Sequence, residues 1–297
     1  MTSKNKTPPQ QLHLPVLLNA TLDVLAPKQG ETYLDLTAGY GGHAREFTGR
    51  IGAASHATLV DRDDFAIQHL QDLAEKGARI IQSDFASAAR VLANNGEQFD
   101  VILIDLGVSS PQLDNQDRGF SFSKSGPLDM RMDRSQPKTA ADLVNTASED
   151  YLASIIRDYG EEPKARAVAR EIMQARPVHT TEELAEVVKK AYRGHWTRVH
   201  PATRTFQAIR IALNDELGQI ERTLPILPKL LRPGGRVGII SFHSLEDRLV
   251  KRFFKEQAEA GYEAELNLLT KHPISGATED VHNPRARSAK LRAAVKK

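Results

Sequence analysis

Asp105 closes the strongest strand pattern of the chain, Phe99-Asp-Val-Ile-Leu-Ile-Asp105, and stands directly before the loop Leu106-Gly-Val-Ser-Ser-Pro-Gln112. An acid in that place can accept the N–H of a weakly nucleophilic amine and take up the charge that develops on nitrogen during attack. Three more acids follow shorter apolar runs: Asp35 after Tyr33-Leu34, Asp61 after Ala57–Val60, and Asp84, with Phe85 behind it, after Ala78–Ile81. Beyond Asp35 come three glycines in six residues, Thr37-Ala-Gly-Tyr-Gly-Gly42, and then His43. Glycines between a strand and a helix let the backbone approach a ligand that any Cβ would repel.

Two cofactors fit that pattern. Gly39, Gly41 and Ala44 satisfy G-x-G-x-x-G/A, so a nicotinamide dinucleotide is formally allowed. Asp61, about 20 residues past the glycines, is placed for ribose hydroxyls, although Asp also suits a helix N-cap. Phe85 can lie against an adenine ring. Asp35 decides between the two, because a carboxylate next to the glycines repels a pyrophosphate and attracts a cationic amino-acid group. S-adenosylmethionine has an ammonium and no phosphate, and is the expected cofactor.

These residues need a sheet to bring them together. The four apolar runs alternate with helix-like stretches through about Arg50, at Asp64–Glu75 and at Ala86–Ala93. That alternation predicts a parallel, doubly wound α/β sheet covered on both faces. An amphipathic helix bearing Leu18, Thr21, Leu22 and Leu25 precedes it, led in by His13-Leu-Pro-Val. From Pro111 to Asn214 the alternation stops. A Gly/Ser/Asp-rich loop, Asp117 to Asp133, gives way to helical patterns near Ala140–Tyr159, Lys164–Ala175, Thr181–Tyr192 and Thr203–Gly218. Thr180-Thr-Glu-Glu183 has capping-box spacing. Strand character returns at Arg236–Phe242, after the turn Arg232-Pro-Gly-Gly235. The expected division is an α/β domain over residues 11–112 and 216–297, with a helical substrate-recognition domain, 113–215, inserted in it.

Composition excludes several classes. The 297 residues are 40% hydrophobic and 26% charged, as in a globular chain with a sizeable core. A net charge of +2 confines nucleic-acid affinity to local basic surfaces. Cysteine is absent, which removes disulfides, thiolate metal sites and a cysteine nucleophile. The ten histidines are scattered without metal-ligand spacing, so no metal is expected. Residues Met1 to Gln10 are polar, and no run reaches the ~18–20 apolar residues of a membrane span, which points to a cytoplasmic protein away from membranes.

The loop after Asp105 occupies the place where amino-methyltransferases keep an (Asp/Asn/Ser)-Pro-Pro-aromatic sequence. Here Leu106-Gly107 and Val108 replace the prolines and the aromatic, so base stacking must come from elsewhere. Further blocks make the resemblance specific: Asp35–His43, Asp105–Gln112, Arg118–Phe122 with Gly126–Met132, His200–Ile211, Ile240–Lys251 and Asn283–Arg292. Together, over roughly His13 to Arg292, they resemble the MraW family, bacterial methyltransferases acting on N4 of a cytidine in small-subunit (16S) ribosomal RNA. The resemblance implies a Rossmann-like, S-adenosylmethionine-dependent methyltransferase sheet with an all-helical domain inserted after strand four. It places cofactor contacts on Gly41, Gly42, His43, Asp61, Phe85, Asp105 and Gln112, and Asp105, as the acceptor for the amine N–H, is the expected catalytic residue.

On the substrate side the candidates are Ser109, Ser110, Arg131, Arg204 and His243. His243 follows the returning strand, where it either orients the base, relays a proton, or is a hydrogen-bonded structural histidine. Arg198 and Arg210, with Arg118 and Arg134, add positive charge near the cleft. Glu246 and Asp247 open a helix, where acids suit the dipole. His195-Trp-Thr-Arg198 sets the single tryptophan among basic residues, for stacking a base or for the core. The segment Pro284–Lys297, six basic residues and no acid, reads as a basic tail that can contact phosphates. The expected partner is small-subunit rRNA within an assembled or maturing 30S subunit, with a homodimer carried as an alternative to a monomer. A DNA amino-methyltransferase and a non-enzymatic RNA-binding assembly factor are the competing functions.

Overall fold

The computed structural model describes residues 15–194 and 200–297. The expectations for residues 1–10, for His13 and for the His195–Arg198 stretch with its tryptophan lie outside them. Among the described residues, eight strands form one sheet. β1 (Tyr33–Asp35), β2 (Ala57–Asp61), β3 (Arg79–Gln82), β4 (Phe99–Asp105) and β5 (Leu231–Ser241) run parallel in the order β3-β2-β1-β4-β5. β6 (Leu266–Leu268), β7 (Ile274–Ser275) and β8 (Lys290–Lys296) follow, and β8 lies antiparallel beside β5 with β6 and β7 paired to it.

The first half alternates as its pattern requires. α1 (Leu18–Leu25), α2 (Gly42–Ile51), α3 (Asp64–His69), α4 (Gln71–Glu75), α5 (Phe85–Asn94) and α6 (Ser110–Asp114) fall between or beside the parallel strands. Val101 to Ile104 of β4 are all buried, which is why that run is continuously apolar. α1 packs on β5 so closely that a Cβ on Gly238 would stand 2.9 Å from Leu25. The parallel strands all present their carboxyl ends at one edge, and Asp35, Asp61 and Asp105 are the last residues of β1, β2 and β4.

Next come α7 (Ala140–Thr146), α8 (Glu149–Asp158), α9 (Ala165–Ala175), α10 (Thr181–Lys190) and α11 (Ala202–Asn214). Their buried residues, Phe120 to Ile209, form a cluster of their own, apart from the two clusters that flank the sheet. The capping box at Thr180 forms as its spacing predicts. After it come α12 (Glu216–Thr223), α13 (Leu227–Leu230), α14 (Ser244–Glu259) and α15 (Gly276–Glu279).

Three expected helices break in two, and the break sites are local. The pattern from 64 to 75 divides at Leu70, where α3 ends and α4 begins. The one from 140 to 159 divides at Ser148, whose hydroxyl accepts from the Tyr151 N–H and starts α8. The one from 203 to 218 divides at Asp215, which sits in the left-handed region at φ 51°.

The largest correction concerns the C-terminus. Residues 290–296 are not a basic tail but an inner strand of the sheet, and their charges are held by neighbours. Lys290 and Arg292 pair with Asp247 (2.9 and 2.7 Å), and Lys296 donates to the Pro228 carbonyl. Composition showed the charge and missed the alternation Leu291, Ala293, Val295 that a strand needs.

Candidate active site

The glycine turn is shaped by the backbone alone. Gly41 has φ +79°, and a Cβ there would lie 2.4 Å from the Arg45 guanidinium. Two acids then fasten the turn to the strand ends. Asp35, 1% exposed, accepts from the Tyr33 hydroxyl (2.7 Å) and the Thr37 N–H (3.1 Å). Asp61 accepts from the Gly39 N–H (2.7 Å) and the Asp63 N–H (2.8 Å). The Asp105 N–H donates to Thr37 Oγ1 at 2.6 Å, which ties the turn to the end of β4. Asp35 therefore holds the loop from beneath, whereas Asp105 is partly open to solvent and keeps a buried Oδ1 that no group of the protein bonds.

The charge at this edge is unbalanced. Burial pushes Asp35 up to about 7 against the bonds from Tyr33 and Thr37. Burial likewise lifts Asp61 to about 6, opposed by the Asp63 and Gly39 N–H groups. Desolvation raises Asp105 well above the usual carboxylate range, and the charges of Asp35 and Glu246 add to it. Its side chain is 26% exposed, its Oδ1 has no hydrogen-bond partner, and Oδ2 is 3.7 Å from Nε2 of His43. Burial holds His43 down at about 4, so at pH 7 the ring is neutral and supplies no counter-charge. Carboxylates without a facing cation suit a ligand that brings its own positive charge.

Gln112 is committed to the protein at both ends of its amide. It donates to Asp63 Oδ2 (2.7 Å) and accepts from the Ser109 N–H (2.9 Å), while Ser109 caps α6. Ser110 opens that helix, and Phe85, half-buried, opens α5 behind its cap Asp84. The structure thus gathers Gly41, Gly42, His43, Asp61, Asp105, Gln112 and Phe85 along one sheet edge or on the elements leaving it.

The arginines sort differently from expectation. Arg118 is 3% exposed: it donates to Asp63 Oδ2 (2.8 Å) and to the carbonyls of Arg131 and Met132, and lies over Phe65 and Phe120. Arg210 is partly buried, its side chain 16% exposed, in a two-pronged pair with Glu216 (2.8 Å each). Neither is a free charge, because each is consumed by a carboxylate: Arg118 by Asp63, 55 positions away, and Arg210 by Glu216, six positions on. Arg131 grips Asp129 and two carbonyls of its own loop. Arg204 is half-exposed, 3.9 Å from Glu162.

His243 caps α14, and both ring nitrogens face Glu246: Nδ1 its N–H at 3.5 Å, Nε2 its Oε1 at 3.1 Å. Glu246 is no ordinary first-turn acid. It is 1% exposed, accepts from the Phe242 and His243 N–H groups, and lies beside Gly107. Burial works to raise it, but His243 and Arg210 outweigh that and hold it ionised. Of the readings for His243, the structural one is favoured in this arrangement. Glu216, His243 and Glu246 bring their ligand atoms within 4.8 Å of one another, a cluster no sequence spacing revealed. Arg210 already sits on both oxygens of Glu216, so a guanidinium supplies the positive charge there.

Parallel strands ending in acids serve many nucleotide enzymes. What distinguishes this sheet is the antiparallel β8 let in against β5, together with a glycine turn that seeks a cation, and that pairing is the Rossmann-like methyltransferase sheet. The chain belongs to the MraW methylase family, whose model matches residues 10–297. It is 48% identical over 291 residues to the ribosomal RNA small subunit methyltransferase H of Synechocystis sp., covering 96% of this chain and 93% of that one. To the protein of the same name from Deinococcus radiodurans it is 47% identical, covering 98% and 92%. The Geobacter sulfurreducens protein of that name is 46% identical, at 96% and 98% coverage. The methyl donor is S-adenosylmethionine.

Proposed function

We propose that this chain methylates the exocyclic N4 amine of a cytidine in the decoding region of small-subunit (16S) rRNA, presented by an assembled or maturing 30S subunit. The names of its relatives support the RNA, and the observation that carries the chemistry is Asp105, an unpartnered acceptor at the cleft edge. When bound, S-adenosylmethionine supplies an electrophilic methyl on a sulfonium. Gly41 and Gly42 admit its cationic methionine end to the acid-rich turn, and Asp61 and Phe85 take the ribose and the adenine. Asp105 accepts an N–H of the amine, so that the nitrogen lone pair is no longer shared with the ring. Asp105 would then take the proton that the methylated amine must lose. His43 and Gln112 hold that arrangement from behind. Residues 113–215 serve as the substrate-recognition domain, with Ser109, Ser110 and Arg204 toward the base, while Arg131, held by Asp129, and His243, held by Glu246, support the elements around them. The reaction belongs in the cytoplasm; among the described residues no helix is long and apolar enough to cross a membrane.

The direct test is incubation with purified 30S subunits, with duplex DNA, and with labelled methyl donor, followed by nucleoside mass spectrometry. N4-methylcytidine in the subunit RNA is the expected product. Label on DNA alone favours the DNA amino-methyltransferase, and cofactor binding without any transfer favours an assembly factor.

Cofactor affinity should also depend on pH in a set direction. Asp35 at about 7 and Asp61 at about 6 are raised above their unfolded values, so the folded protein binds extra protons between about pH 4 and 7. Their contribution to stability is therefore present at low pH and lost as pH rises through 6 and 7. A cationic ligand prefers them ionised. The melting temperature of the ligand-free protein should receive a rising contribution from them between pH 8 and 5.5, while the shift caused by S-adenosylmethionine shrinks. A larger ligand-induced shift at pH 5.5 would rule out the attraction assigned to these acids.

A further inference from the structure

The turn Tyr159-Gly-Glu-Glu-Pro163 joins α8 to α9 and is pressed onto α11. A Cβ on Gly160 would come within 2.5 Å of the Ile156 carbonyl and 2.7 Å of the Arg204 carbonyl. The next residue, Glu161, is a non-glycine in the left-handed region at φ 48°. From there its half-exposed carboxylate crosses to α14 and takes two donors: Oε2 accepts from the Ser244 hydroxyl (2.6 Å) and Oε1 from Arg248 Nη2 (2.9 Å). Ser244 and Arg248 hold the Glu161 carboxyl below its ordinary range, and the charge of Arg204 contributes as well. Ser244 follows His243, at the carboxyl end of β5, so the contact spans the helical block and the edge where Asp105 lies.

An exposed ion pair contributes little to stability and a left-handed non-glycine costs some, so stability alone does not account for this contact. The donors are a hydroxyl and guanidinium N–H groups arranged around one oxyanion. A phosphate diester offers the same acceptor oxygens. The exposed Lys251 and Arg252 continue the positive charge along α14. Resting on the rRNA reading above, we propose that Ser244 and Arg248 form a seat for a backbone phosphate of the substrate RNA, which the Glu161 carboxylate occupies until the RNA displaces it.

The experiment measures binding of purified 30S subunits to the full chain across a salt series, with melting temperatures alongside. Glu161→Gln should tighten binding about three- to tenfold, and Arg248→Gln should weaken it by a similar factor and lower the slope of log K against log salt by about 1. The gain from Glu161→Gln should disappear in the Arg248→Gln background. Persistence of the gain there means a long-range charge effect and overturns the seat. So does a Glu161→Gln protein that binds no tighter and melts earlier, which makes the contact a structural clasp. If wild-type protein binds S-adenosylmethionine yet methylates no subunit RNA, the rRNA reading itself fails, whatever the variants do.

Discussion

Asp105→Asn is expected to slow methyl transfer by about 10²–10³-fold while the protein melts no earlier than wild type. The two halves have one cause. Asp105 sits among carboxylates, with Asp35 and Glu246 both raising its proton affinity, and the nearest ring, His43, is neutral at pH 7. Its Oδ1 is without a partner, and its Oδ2 lies 3.7 Å from a ring nitrogen, so an isosteric amide gives up little bonding and removes a desolvated charge. An active-site group that serves chemistry at the expense of stability shows this combination. The same arrangement suits a proton acceptor, since a carboxyl with raised proton affinity takes a proton from a methylated amine more readily than an ordinary one. Single-turnover assays with 30S subunits, beside thermal melts, would decide it. Wild-type single-turnover rates in Asp105→Asn would remove Asp105 from the chemistry and leave it a structural acid.

Arg118→Met should be the most damaging single change to the fold, costing about 3–5 kcal/mol. Arg118 is 3% exposed and its partner Asp63 is fully buried, so truncation strands a carboxylate in low dielectric with only Gln112 Nε2 and the Phe65 N–H as donors. For a domain of this size that corresponds to a fall in melting temperature on the order of 10 °C. The double variant Asp63→Leu/Arg118→Met should melt later than Arg118→Met, because removing both charges leaves no uncompensated ion. A double variant that melts earlier would show that the pair's worth lies in geometry. The consequence for the site follows from the chain. Asp63 is two residues beyond Asp61 and also holds Gln112, so the pair links the cofactor edge to the loop carrying Met130 to Met132. Cofactor affinity should fall in Arg118→Met even at temperatures where it stays folded, by calorimetry.

Sequence alone determined whatever depends on neighbours within a few residues. Apolar runs with an acid at the end, three glycines before a helix, and a hundred residues without a buried strand require nothing but local periodicity and backbone sterics. The parallel strands, the glycine turn and the acids at 35, 61 and 105 were legible for that reason. Helix breaks at Leu70, Ser148 and Asp215 were less so, since an amphipathic pattern can run through a cap without losing phase.

Only the tertiary structure decided which charges meet. Arg118 finds Asp63 across 55 positions, and Glu161 reaches Ser244 across 83, separations at which residue type alone cannot tell a buried ion pair from a surface charge. The basic segment at the C-terminus became a strand because β5 offered an unpaired edge and Asp247 offered a counter-charge. Glu246 became a buried, ionised neighbour of the edge carrying Asp105 because α14 begins where β4 and β5 end. Desolvation acts through all surrounding atoms at once, and that is why the proton affinity of Asp105, on which its proposed chemistry rests, had to be read from the fold.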